Sequence, residues 1–226
     1  MPIKTKSAII KKSKIRFTTK VIRVFSMKNE IAKKDFKVAI FGSARVKKGD
    51  QIYKQVYNLA KAIGKHEIDL VTGGGPGLME AANYGHFNGD KNNKAVNIGL
   101  TIQLPWENEV NEYVELEEHF QHFSKRLDNF MALSNVAVVT PGGIGSCLEL
   151  FYAWQLIQVK HIQPIPIILI GHMWAQLIKW IREYPLKKGL ISPGDMQYIH
   201  VVKNNKEAMK IILQTQIDFK NKAKLK

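Results

Sequence analysis

The stretch Pro141-Gly142-Gly143-Ile144-Gly145-Ser146 is followed three positions later by a glutamate, Glu149, and an apolar run leads straight into it. Glycines at such a junction let backbone N–H groups approach a ligand closely. The pattern predicts a helix opening near Gly145. The amides of Gly143 to Ser146 would then stand at its N-terminus, where unpaired donors and the helix dipole favour an anion such as phosphate. The Ser146 hydroxyl can cap that helix and donate to the anion. A carboxylate one turn further in is costly beside an anion, and it suggests chemistry. The same Ser-x-x-Glu spacing is also that of a capping box, which satisfies backbone donors and needs no ligand. Spacing alone leaves both readings open.

A second glycine-rich stretch, Thr72–Asn83 ("TGGGPGLMEAAN"), admits a dinucleotide site, a mononucleotide phosphate site or a tight turn. After Gly75-Pro76-Gly77 the third glycine of a dinucleotide fingerprint is missing, and Asn92 to Ala95 supply no acid for a ribose. A Walker-type Gly-x-x-x-x-Gly-Lys-Ser/Thr loop does not occur either.

The elements that must position these loops follow from the hydrophobic pattern. Short apolar runs read as buried strands: Lys37–Phe41, Ile68–Thr72, Ala95–Leu100, Asn135–Thr140 and Ile165–Ile170. Between the first two, Ile52, Val56, Leu59 and Ile63 recur at helical spacing before Gly64. Further helices are predicted to begin near Gly77, Glu117, Gly145 and Met173. Alternation of this kind predicts an α/β, Rossmann-like three-layer fold with a doubly wound parallel sheet. Ligands then bind beyond the carboxyl ends of the strands, so the loops after Phe41 (Gly42-Ser43), Thr72, Leu100 and Thr140 are the informative ones.

Composition narrows the function classes. The 226 residues carry a net charge of +15, but twelve bases against two acids fall in residues 1–37 and seven against two in residues 203–226. The remainder holds fifteen of each and is neutral. Basic ends of this kind are solvated arms more often than sequence readers, so nucleic-acid binding is not expected. The first 29 residues contain no acid, which fits a transit peptide, but no small-residue cleavage pattern follows an apolar core. A single cysteine, Cys147, excludes an internal disulfide framework and favours a reducing, cytoplasmic setting. No apolar run is long enough to span a membrane.

"PGGIGSCLEL" resembles the PGGxGTxxE signature of the LOG family, the cytokinin-activating nucleoside-monophosphate phosphoribohydrolases that are also labelled lysine decarboxylases. "IFGSARV", "TGGGPGLMEAANYG", "IGLTIQLPWEN", "NEYV", "FYAWQLIQ" and "GLISPGD" are similar, in the same order, to segments of its longer-chain branch, and "FTTKVIRVFSM" to that branch's N-terminal extension. The resemblance covers roughly residues 17–212 and implies a basic arm over 1–16, one domain over 17–216 and a basic tail over 217–226.

The resemblance implies catalytic roles for Glu149 and for Arg126 in "HFSKRLDNF". It implies nucleotide contacts for Gly42, Ser43, Gly74, Gly75, Gly77, Glu80, Gly142, Gly143, Gly145 and Ser146, with Glu107 a weaker candidate for a ribose or base contact. Three positions depart from the family pattern: Leu127 stands for a lysine, Ser146 for a threonine and Leu148 for an acid. The implied substrate is AMP or an N6-modified AMP, cleaved to free base and ribose 5-phosphate without a cofactor. Breaking the bond from ribose C1′ to nitrogen builds positive charge on the sugar, as in glycoside hydrolysis. A carboxylate at Glu149 would stabilise it and orient water. Arg126 would hold that carboxylate ionised.

Other readings remain. A decarboxylase would need pyridoxal phosphate on a lysine, and Gly73 to Gly89 contains none. His119 and His122 have metal-like spacing but are predicted on a polar helix face beside Glu117 and Glu118, and no metal is expected. A nucleotide carrier or sensor without catalysis is the alternative on the same fold. Phe151, Tyr152, Trp154, Leu156 and Ile157 spread over more than one helix face, so a homodimer or larger assembly is expected.

Overall fold

A computed structural model describes residues 35–102 and 110–224. Glu107 and the Phe17–Met27 segment lie outside the described residues. Seven parallel strands form one sheet: β1 (Lys37–Phe41), β2 (Asp69–Thr72), β3 (Asn97–Ile102), β4 (Leu116–Phe120), β5 (Val136–Val139), β6 (Ile167–Ile170) and β7 (Ile199–Val202). Their order is β4-β3-β2-β1-β5-β6-β7. The chain works outward from β1 to β4, returns to the other side of β1 as β5, and continues outward to β7. The strand order therefore reverses between β1 and β5, which pair from Val38 against Val136 to Phe41 against Val139. That reversal opens a crevice at their carboxyl ends.

Six helices cover the sheet: α1 (Gln51–Lys65), α2 (Leu78–Gly89), α3 (Phe123–Leu133), α4 (Ile144–Gln158), α5 (His172–Ile181) and α6 (Asn205–Lys224). Successive strand residues face opposite layers. Val38, Ile40, Val136, Val138, Ile168 and Ile170 pack with α1, α2 and α6 on one face. Ala39, Phe41, Ala137, Val139, Ile167 and Leu169 pack with α3, α4 and α5 on the other. Burial on both sides is why these strands read as continuous apolar runs. The fold is the doubly wound, Rossmann-like α/β sheet that the alternation predicts.

Two expectations are corrected. The segment from Glu117, predicted helical, is β4, at the edge of the sheet and paired among the described residues with β3 alone. Its buried residues Leu116 and Phe120 stand four apart, which mimics a helical stripe. Charged side chains between them are tolerated at a sheet edge. His119 therefore lies on a strand and His122 precedes α3 as its N-cap, so no helix face joins them. The basic segment from residue 217 continues α6 to Lys224. Phe219 in it meets Phe36 edge-on at 5.5 Å.

Candidate active site

The crevice is built by two loops that fasten each other across the switch point. Ser43 N–H donates to the Pro141 carbonyl at 3.0 Å, and Thr140 N–H and its hydroxyl both donate to the Phe41 carbonyl at 2.8 Å. Gly42 has to be a glycine because a Cβ there would overlap the Thr140 hydroxyl. These bonds hold the Gly42-Ser43 and Pro141–Ser146 turns side by side at the mouth of a cavity of about 800 Å³.

Helix α4 begins at Ile144 with Gly143 as its N-cap, and no side chain caps it. Ser146 is thus inside the first turn rather than at the cap, and Glu149 is a turn deeper. No capping box forms. Helix geometry leaves the amides of Ile144, Gly145 and Ser146 without carbonyl partners in the helix. Ser146 is only 4 % exposed, lies against Gly142 and lines the cavity. Among the described residues its hydroxyl has no hydrogen-bond partner. Gly143 and Gly145 meet no atom within 4 Å of where a Cβ would stand, and neither has a positive φ. Neither packing nor backbone geometry asks for glycine at these two positions. What they leave is open backbone facing the cavity.

Glu149, 9 % exposed, reaches the cavity from α4, and Arg126, equally buried, reaches it from α3. Arg126 Nη1 lies 3.6 Å from Glu149 Oε1. That is an ion-pair distance, too long for a directed hydrogen bond. Among the described residues the carboxylate accepts no hydrogen bond, so its lone pairs remain available. Arg126 itself is anchored: Nε donates to the Leu100 carbonyl at 2.7 Å, the guanidinium stands over the Phe130 ring at 5.1 Å, and Gly73 leaves room for it. Burial raises the Glu149 carboxyl to about 7, and Arg126 only partly opposes this. Arg126, expected to hold the glutamate ionised, does act in that direction, but desolvation is the larger effect. A carboxyl near 7 is poised for proton transfer at neutral pH. Leu127, in the position of the family lysine, is buried.

Of the residues nominated by sequence, Gly42, Ser43, Gly75, Gly143, Gly145, Ser146, Arg126 and Glu149 line this one cavity. Gly74, Gly77, Gly142 and Glu80 do not. Gly74 and Gly77 have positive φ and form the turn between β2 and α2. A Cβ at Gly77 would strike the Ser43 carbonyl, which accepts from Leu78 N–H at 2.9 Å. Glu80 pairs with Lys48 at 2.7 Å. The cavity also contains residues that the sequence reading passed over: Arg45, Met79, Thr101, Glu117, His119 and Phe123. Arg45 follows the end of β1 and Thr101 is the last residue but one of β3, so both were reachable from the loop rule. Glu117 and His119 were hidden by the helical misreading of β4.

Among the described residues no lysine lines the cavity, so none of them offers there the amine that pyridoxal phosphate would need. Among the described residues no group of three or more His, Cys, Asp or Glu could hold a metal ion. No helix among them is long and apolar enough to cross a membrane.

At the switch point of a doubly wound sheet, a buried acid–arginine pair thus lies beside helix-terminal amides that open on one cavity. The family described as possible lysine decarboxylase, the LOG family, matches residues 79–212, more than half of the chain, and the chain belongs to it. The pyrimidine/purine nucleotide 5′-monophosphate nucleosidase of Escherichia coli K12 is 26 % identical over 144 residues, covering 59 % of this chain and 30 % of that protein. The chain thus spans less than a third of the length of the curated relatives it matches. Among solved structures, the molybdenum cofactor binding protein of Rippkaea orientalis has a TM-score of 0.59 at 18 % identity, over 80 % of this chain and 97 % of that one. The molybdenum cofactor carrier protein of Chlamydomonas reinhardtii gives 0.58 at 21 %, over 80 % and 98 %. At these identities the structural likeness is one of fold.

Proposed function

We propose that this protein hydrolyses the N-glycosidic bond of nucleoside 5′-monophosphates, AMP or an N6-modified AMP among them, to a free base and ribose 5-phosphate. The observation that carries the reading is the Arg126–Glu149 pair, buried at 3.6 Å next to unpaired amides at the start of α4. Family membership and the name of the Escherichia coli relative support it. In this reading the Ile144–Ser146 amides and the Ser146 hydroxyl hold the phosphate. Its binding energy positions C1′ against Glu149. The carboxylate stabilises the sugar cation and takes a proton from the attacking water, while Arg126 steadies the ionised form and faces the departing base.

A non-catalytic nucleotide carrier is the second reading, favoured by the fold shared with proteins named as molybdenum cofactor carriers. A carrier has no use for a desolvated carboxyl near 7. Incubating the purified protein with AMP separates the two: release of adenine and ribose 5-phosphate is the expected result, and tight binding without products supports the carrier.

The protein is further proposed to act in the cytoplasm as a homodimer or larger assembly. Of the apolar residues spread over more than one face of α4, Trp154 and Ile157 are buried within the subunit. The large apolar residues left exposed on α4 are Ile144, Leu148 and Phe151, which follow i, i+4, i+7 spacing along one stripe. A stripe of this kind suits a second copy. Light scattering at micromolar concentration should show an assembly, and a monomer would remove this part of the proposal.

A further inference from the structure

The wall of the cavity farthest from the α4 amides is made by the ends of β3 and β4. Thr101 and His119 face each other in the strand register, and Glu117 lies two residues before His119, on the same face of β4. Thr101 Oγ1 lies 3.0 Å from Glu117 Oε1 and 3.1 Å from His119 Nδ1, and all three residues line the cavity. A threonine hydroxyl has one proton. Three acceptors are within its reach, Glu117 Oε1 at 3.0 Å, His119 Nδ1 at 3.1 Å in the tautomer that leaves it bare, and the Glu118 carbonyl at 3.4 Å, and the shortest, to the carboxylate oxygen, takes the proton. The hydroxyl oxygen then accepts from His119, which sets Nδ1 as the protonated nitrogen. With the ring in that tautomer, its Nε2 and the second Glu117 oxygen are the acceptors that Thr101 leaves open on this wall among the described residues.

The wall is also at the right place for a base. From the gap between β1 and β5 to the β3–β4 pair is three strand spacings, about 14 Å. The Arg126 guanidinium lies between, against Gly73 at the end of β2 and bonded to Leu100 of β3. Across the cleft the order is therefore anion site, acid–arginine pair, acceptor wall, the order of phosphate, ribose and base in a nucleotide. Phe123, half exposed at the rim, offers a ring to the face of a base.

We propose that Thr101, Glu117 and His119 form a base-reading wall that selects nucleotides whose base carries an exocyclic amino group and rejects those with an oxo group there. Two acceptors facing an amino group are satisfied; facing a carbonyl oxygen they are left unpaired and repelled. This inference rests on the reading of the cleft as a nucleoside-monophosphate site.

The test compares AMP with IMP and CMP with UMP, pairs in which an amino group is replaced by an oxo group. The wild-type protein should favour the amino member in kcat/KM by roughly ten- to a hundredfold. Glu117→Gln and Thr101→Val should bring the ratio toward one, chiefly through KM for AMP, whereas Thr101→Ser, which keeps the hydroxyl, should preserve it. A wild-type ratio near one, or a ratio unchanged in both altering variants, overturns the proposal while leaving the hydrolysis intact. If none of the four nucleotides releases a base, hydrolysis is refuted instead, and dissociation constants measured by calorimetry on the same proteins decide selectivity by the same ratios. Absence of binding to all four overturns both.

Discussion

The two glycine-rich loops flank β1, one leaving β2 and the other leaving β5, and in sequence they look alike. In the structure they are opposites. The Thr72–Gly77 loop is closed on itself: Gly74 N–H donates to Thr72 Oγ1 at 3.0 Å, and Asn111 Nδ2 donates to the Gly74 and Gly75 carbonyls at 2.9 and 3.0 Å. Beneath it, Thr72, Asn83 and Asn97 form a buried chain of side-chain bonds of 2.8 and 2.6 Å. Its glycines at 74 and 77 are there because φ is positive or a backbone passes too close. The Pro141–Ser146 loop has instead two glycines, 143 and 145, that nothing among the described residues crowds. Glycine inside a helix costs about 1 kcal/mol relative to alanine, a cost that falls on Gly145 and not on the N-cap Gly143. The difference teaches how to divide a glycine motif: a glycine that packing explains belongs to the fold, and one that packing leaves unexplained points to a ligand.

The largest expected effect tests whether the open loop serves chemistry. Glu149→Gln should lower AMP turnover by about a thousandfold or more while AMP binding, measured by calorimetry, is retained. Unchanged turnover would detach the open loop from catalysis. Next, the loop's role as a phosphate site predicts that adenosine is a poorer substrate than AMP by about a hundredfold or more in kcat/KM. Equal specificity constants would return the loop to a purely structural role.

The comparison itself is tested by one substitution in each loop. Gly77→Ala forces a side chain into positive φ and against the Ser43 carbonyl, and should cost roughly 2–4 kcal/mol in denaturant unfolding. Gly145→Ala should leave stability within about 1 kcal/mol of wild type, or slightly raised, and should raise KM for AMP. Equal losses of stability in the two variants would erase the distinction drawn between the loops.

The expectation sharpest in sign is pH dependence. The Glu149 carboxyl sits at about 7 in the folded protein against an ordinary 4.5. The unfolded chain therefore binds fewer protons between these values, so this group's stabilising contribution is full below about 4.5 and declines as pH rises through 7. The loss is on the order of 3 kcal/mol, and Glu149→Gln should abolish it. Hydrolysis needs the ionised form, so kcat/KM should rise over the same interval. Stability and activity running in opposite directions, both flattened or lost in the variant, would be the signature. Removing Arg126 should move the activity limb to higher pH, since its charge is what opposes burial.

Much of this was legible before any coordinates. Parallel strands buried on both faces produce apolar runs that need no alignment to see, and a helix such as α1, with Val56, Leu59 and Ile63 on one side, shows its stripe directly. The edge of the sheet was not legible. Leu116 and Phe120 at a spacing of four, with acids between, carry a helical pattern into a strand because β4 has one neighbour and an open flank. That single misreading concealed Glu117 and His119. β7, short and only partly buried, escaped notice at the opposite edge for a related reason.

The sequence by itself determined the fold class and the order of the loops, and it marked Glu149 by its spacing from Ser146. It could do so because glycine runs, strand runs and that spacing are local properties of the chain; Arg126 was reached only through the family resemblance. Only the tertiary structure decided that Ser146 is not a cap, that Gly74 and Gly77 close a turn while Gly143 and Gly145 open one, and that burial rather than Arg126 governs the glutamate. Each of those depends on what approaches from elsewhere: α3 bringing Arg126 within 3.6 Å, Asn111 sealing the neighbouring loop, and apolar surroundings excluding the water that would otherwise hold Glu149 ionised.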